Sequence, residues 1–175
     1  MRTAESAKTI ALAILSEGPF AEANAVLLES KIQEFNEGWI YYYQSAGFVE
    51  TGDINESLVG NAPLFVPRND SPPSFVGHHR PLAESMEAFR LSGNASAQAN
   101  AQVRLSGWKP GALAVSAIQA IRQHSSSGLA AAKEAVESCL AGNSALISAP
   151  TVTSARELVS SLAKIGFVAE VTYGA

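Results

Sequence analysis

The stretch GWIYYYQS, residues 38–45, constrains the fold more than any other part of the chain. Read as a strand, it alternates faces, so Trp39, Tyr41 and Tyr43 point one way and Ile40 and Tyr42 the other. A half-buried strand needs only one apolar face, and this one carries bulk on both. Two readings follow. In one, Trp39, Tyr41 and Tyr43 lie under helices while Tyr42 shields the outer face of a sheet. In the other, Tyr42 belongs to a binding surface, since tyrosine offers large contact area at low entropic cost.

The elements around this strand are read from hydrophobic period. Residues 3–17 place Ala7, Ile10, Ala11, Ile14 and Leu15 on one helical stripe, and Gly18-Pro19 ends it. Residues 25–35 alternate as a strand and fold back through Asn36-Glu37-Gly38 onto GWIYYYQS as a hairpin. PLFVPR (63–68) and SFVGHH (74–79) read as two further strands, and residues 81–91 as a helix opened by Pro81. SGNASAQANAQ, small and polar, reads as a linker, with residues 93–102 separating a first domain (1–92) from a second (103–175). In the second domain the pattern becomes β-α-α-β-α-β. Strands are expected at 103–107, 145–148 and 167–173, and helices at 112–124, from Leu129 to Leu140, and after Pro150-Thr151. The fold class expected is α+β: an antiparallel sheet covered by helices, then a small β-α-α-β-α-β domain.

Composition narrows the chemistry. The net charge of −4 divides unevenly: residues 1–92 hold twelve acids and six bases, residues 93–175 four acids and six bases. Between residues 17 and 56, eight acids face one base, Lys31. Such a field repels nucleic acid and draws a basic partner. No apolar run approaches the ~18 to 20 residues of a membrane span. The charged N-terminal helix is not an export signal, and the single cysteine suits a reducing, cytoplasmic setting.

Catalytic and metal chemistry find no footing. His78 and His79 are neighbours on an expected strand, so they point apart and cannot share an ion, and His124 is remote. Cys139 lies on the apolar stripe of its helix with no histidine nearby. Glu50, Asp53 and Glu56 have the spacing of a paired-carboxylate site but fall in a polar loop without an apolar pocket to raise a pKa. No phosphate-binding glycine pattern is present. No catalytic residue, metal or cofactor is expected. The candidate residues are partner-binding ones: Tyr42, Phe48, Glu50, Asp53 and Glu56.

Two resemblances bear on this. Gly38-Trp39, Tyr43-Gln44-Ser45, Glu50-Thr51-Gly52-Asp53, Gly60-Asn61, Pro63-Leu64 with Val66, and Gly77 before Pro81 resemble, in order and spacing, the YrhB-like family, also called immunity protein 35. That resemblance implies a small antidote that neutralises a cognate bacterial toxin by binding and occluding it, with no enzyme activity. The second domain, through KPGALAVSAIQAIRQHSSSGLAAAKEAVES and then Ala155, Leu158, Leu162, Gly166 and Val171, resembles the C-terminal domain of the bacterial ribosomal stalk protein. This resemblance implies the same small fold and, as an alternative function, a translation-linked adaptor that binds a ribosomal factor. It departs from the stalk pattern at Gln119 and Ala130, where lysines would stand, while Arg122 and Lys133 remain.

Overall fold

The computed structural model describes residues 1–174 and divides the chain into two compact units, Met1–Ser96 and Ala97 onward. In the first unit, helix α1 (Ala4–Leu15) starts at a Thr3 capping box, in which Thr3 and Ser6 satisfy each other's backbone amides. A short helix α2 (Gly18–Glu22) follows, so Gly18-Pro19 opens a new turn of helix as well as ending the old one. Next come strands β1 (Ala25–Leu27), β2 (Gln33–Glu34), β3 (Gly38–Tyr41) and β4 (Tyr43–Ser45), then helix α3 (Ala46–Thr51). Strands β5 (Leu64–Pro67) and β6 (Ser74–Phe75) and helix α4 (Leu82–Ser92) complete the unit. All strand pairs are antiparallel. One sheet has the order β2-β3-β5-β6, and β1 pairs with β4 in a separate ribbon.

Both apolar faces of β3 are covered. Trp39 and Tyr41, with Leu64 and Val66 of β5, pack against Ala7 and Ala11 of α1. Ile40 and Phe65 point the other way, onto Met86 and Phe89 of α4, where the Phe65 and Phe89 rings meet edge to face at 4.9 Å. The sheet is therefore a middle layer, and the second face is met by α4 rather than by solvent. Tyr43 follows neither layer. The chain breaks at Tyr42, whose carbonyl accepts from the Leu28 amide at 2.8 Å, and β4 turns to pair with β1. Tyr43 then packs against Phe20 and Phe75. The Trp39 indole N–H is buried without a hydrogen-bond partner, while its ring carries the Arg68 guanidinium 4.2 Å from the centroid. Arg68 is held there by Glu34 at 2.6 Å and by the Phe35 and Asn36 carbonyls.

Several expected boundaries shift, each for a local reason. Residues 25–35 are not one strand: a 3₁₀ turn at Glu29–Lys31 separates β1 from β2, which join different sheets. The strand at 74–79 is only two residues long, and His78 and His79 lie exposed in a turn beyond it. The second half of the expected linker at 93–102 is strand. β7 (Gln98–Trp108) begins at Gln98, which pairs with Gly174, as Ala99 does with Tyr173. What joins α4 to β7 is residues 93–97, with Ala95 and Ala97 buried.

The second unit has the expected β-α-α-β-α-β order. After β7 come α5 (Ala114–His124), α6 (Leu129–Leu140), β8 (Ala145–Ser148), α7 (Val152–Lys164) and β9 (Phe167–Gly174). The antiparallel sheet runs β8-β7-β9. Its inward residues Val103, Leu105, Ile147, Phe167 and Val171 join Ala117 and Ile121 of α5, Ala132, Val136 and Cys139 of α6, and Ala155, Leu158 and Leu162 of α7 in one core. Cys139 sits on its apolar stripe, and burial pushes its thiol pKa up. No helix among the described residues is long and apolar enough to cross a membrane.

Two measurements test this account of the first unit. A Cβ at Gly38 would press into the Val66 carbonyl and lie 2.9 Å from both the Phe65 ring and the Pro67 Cα. Backbone cannot yield as a side-chain tip can, so Gly38→Ala should cost about 2 kcal/mol in chemical denaturation. Tyr41 is raised from 10.0 to about 12, by burial first and then by Glu29 and Glu34. Its neutral form is the native one, so this contribution to stability is complete below the unfolded value near 10 and is lost as pH rises through 12. Phenolate absorbance should show a tyrosine ionising near pH 12, and Tyr41→Phe should remove that step.

Candidate functional site

Between β4 and β5 the chain has no backbone ladder, yet residues 46–61 are held against the unit by side chains. Gln44 is central. Its Oε1 accepts from the amides of Ser45, at 2.8 Å, and Leu58, while its Nε2 donates to the Leu58 carbonyl at 3.2 Å. One amide side chain thus pairs with Leu58 through both a donor and an acceptor, as a neighbouring strand would. Ser45, 6% exposed, adds two bonds: its Oγ accepts from the Phe48 amide at 3.1 Å, capping α3, and donates to the Glu56 carbonyl. Asn61 Nδ2 donates to the Tyr43 carbonyl at 2.7 Å and ties down the far end of the loop.

Inside this clasp the turns are also fixed. Gly52 ends α3 in the left-handed region at φ 72°, which a glycine adopts without a Cβ penalty. Thr51 Oγ1 donates to the Gly47 carbonyl at 2.8 Å and accepts from the Asp53 amide at 3.1 Å. Asp53 Oδ1 then accepts from the Asn55 amide at 2.9 Å and opens the 3₁₀ turn Ile54–Glu56. The Glu56 carboxylate lies directly over Gly47, in the space a Cβ there would fill.

The expected partner-binding residues fall unevenly on this frame. Glu50, Asp53 and Glu56 are all exposed on α3 and the following turn, and none makes an ion pair among the described residues. Phe48 is half-buried within α3. Tyr42 is half-buried against the α4-side cluster of Ile40, Phe65 and Met86, so its ring is engaged with the core. Elsewhere in the acidic stretch, Glu29 pairs with Lys8 at 2.7 Å and Glu34 with Arg68, which removes two of the eight acids from the unpaired field.

The sequence reading passed over three aliphatics. Val49, Ile54 and Val59 are 51%, 70% and 88% exposed on the clasped segment. They follow neither a helical nor a strand period, and that is the signal that could have flagged them: apolar side chains with no core to point at. The segment therefore exposes aliphatic side chains interspersed with carboxylates that make no ion pair among the described residues.

Other groupings have a structural account. His124, ending α5, lies with Nδ1 3.4 Å from Glu157 and Nε2 3.5 Å from Ser161, so the three are not remote from one another. Both contacts exceed the range in which a base activates a nucleophile, and the Glu157 side chain is 58% exposed to competing water. The trio fastens the end of α5 to α7. No group of three or more metal-ligating side chains occurs among the described residues.

Ser45→Ala should leave the Glu56 carbonyl and the Phe48 amide without a partner at once. The expected loss is about 1 to 2 kcal/mol in urea titration, with Ser45→Thr recovering part of it.

Comparison with known proteins meets this geometry. Over 79 residues the chain is 28% identical to the uncharacterized protein YrhB of Escherichia coli (strain K12), covering 41% of this chain and 84% of that protein. No solved structure matches. The model of the family Immunity protein 35 matches residues 5–89, which end within α4. Over residues 5–89 the first unit is thus similar to Immunity protein 35, and its clasp is built from residues on which the resemblance rests: Gln44, Ser45, Thr51, Gly52, Asp53 and Asn61.

Proposed function

We propose that the protein is an immunity protein that neutralises a cognate bacterial toxin in the cytoplasm by direct binding and occlusion, without catalysis of its own. The observation that carries this reading is the family match over residues 5–89. The electrostatics agree with it. The first unit bears twelve acids against six bases, so a toxin with a basic face would be steered toward it. Steering sets the encounter rate and is screened beyond roughly 8 Å at physiological ionic strength, so slow dissociation has to come from desolvated contacts. Glu50, Asp53 and Glu56 supply the charge, and Phe48 is half-buried on the same segment.

The second unit enters this proposal as a stalk-like module whose factor recruitment is weak. Gln119 and Ala130, which replace lysines of the stalk pattern, are both exposed and offer no charge to an acidic partner.

The test uses the full chain and the toxic domain encoded beside its gene. One equivalent should abolish the toxin's activity. Reversing Glu50, Asp53 and Glu56 to lysine should slow association about tenfold at low salt, with the difference shrinking at high salt. Failure of the unaltered protein to bind or inhibit that domain would sink the proposal. A flat salt response, with association unchanged in the reversed variant, would remove the acidic segment from the encounter.

A further inference from the structure

We propose that residues 47–59 form a preorganised docking platform in which Val49, Ile54 and Val59 anchor a toxin face of basic, apolar character, and Gln44 positions them. This rests on the binding reading above and assigns its energetic centre to side chains other than Tyr42 and Phe48.

Three observations carry it. First, the three aliphatics are among the more exposed apolar side chains of the chain, and all lie within eleven residues of one another. Leaving them in water is unfavourable, and covering them on binding favours association. Second, the carboxylates interleaved with them, Glu50, Asp53 and Glu56, make no ion pair among the described residues. A partner that buried the aliphatics while leaving these charges uncompensated would bear a desolvation penalty, so the occupant that fits is one with lysines or arginines around an apolar centre. Third, the platform is already ordered. Gln44 and Ser45 fix Leu58 and Glu56, Thr51 and Asp53 fix the intervening turn, and Asn61 closes the far end. An interface loop ordered before binding avoids the entropy of ordering it in the complex.

Gln44 is therefore a positioning residue. It touches no partner in this account, since its amide is spent on Ser45 and Leu58. Its effect should appear in the free protein as local mobility and in the complex as lost affinity. A role confined to general stability would instead lower the melting temperature and exchange protection throughout the unit.

The experiment has two arms, both on the full chain. In the free protein, Gln44→Ala should accelerate amide exchange across residues 53–61 at least tenfold, while the amides of β3 and β5 stay protected. Acceleration spread evenly over the unit, or none in the loop, would overturn the positioning role. In the second arm, a catalytically inactive form of the toxic domain encoded beside the gene is titrated. Combined Val49→Ala, Ile54→Ala and Val59→Ala should weaken binding about thirtyfold or more, and Gln44→Ala about threefold to tenfold. Leu146→Ala, an aliphatic of the second unit that is 58% exposed, should leave affinity unchanged. If the unaltered protein binds and the triple variant binds equally well, the platform falls while the immunity reading stands. If the unaltered protein does not bind, both fall.

Discussion

A strand with two apolar faces cannot end at a water-exposed sheet, and the first unit is organised around meeting that demand. Trp39 and Tyr41 require α1 on one side, and Ile40, with Phe65 beside it, requires α4 on the other. Burying both faces brings the backbones of β3 and β5 together so closely at Gly38 that no larger residue fits without moving main chain. It also seals in the Trp39 indole N–H without a partner, a cost that the stacked Arg68 guanidinium offsets in part through the ring face. With helices on both faces of β3 and β5, the side chains left exposed lie largely on the segments that connect the strands.

The α3 region is such a segment, and its order comes from side chains rather than from a ladder. Gln44 presents its amide as a strand would, and Ser45 serves a helix cap and a loop carbonyl with one hydroxyl. The polar residues on which the family resemblance rests here are the ones that hold the segment in shape. They shape a surface. The groups that surface presents are Val49, Ile54 and Val59 among Glu50, Asp53 and Glu56.

Much of this was legible in the sequence because it rests on period. Helix α1, helix α4 and the β-α-α-β-α-β order follow from apolar spacing, and Cys139 lies where its stripe puts it. What escaped rests on pairing between distant residues. Gln98 to Gln102 alternate outward amides with alanines, yet alanine has weak strand preference, and distant partners, Tyr173 and Gly174 on one side and Ser148 on the other, turn the stretch into strand. The break at Tyr42 likewise depends on Leu28 drawing its carbonyl into another ribbon, and no local pattern records that bond. In the candidate site the acids and Phe48 could be read from composition. Tyr42's engagement with the α4 cluster and the exposure of the three aliphatics depended on knowing which core was already full.

The proposal at the centre of this account is that a cognate toxin would be met by the α3 segment of the first unit. Hydrogen–deuterium exchange of the full chain, alone and with one equivalent of the inactive toxic domain encoded beside its gene, tests this most directly. The account predicts new protection concentrated in residues 47–61, with the already slow amides of β3 and β5 little changed. Protection confined to the second unit, with residues 47–61 exchanging as in the free protein, would contradict it.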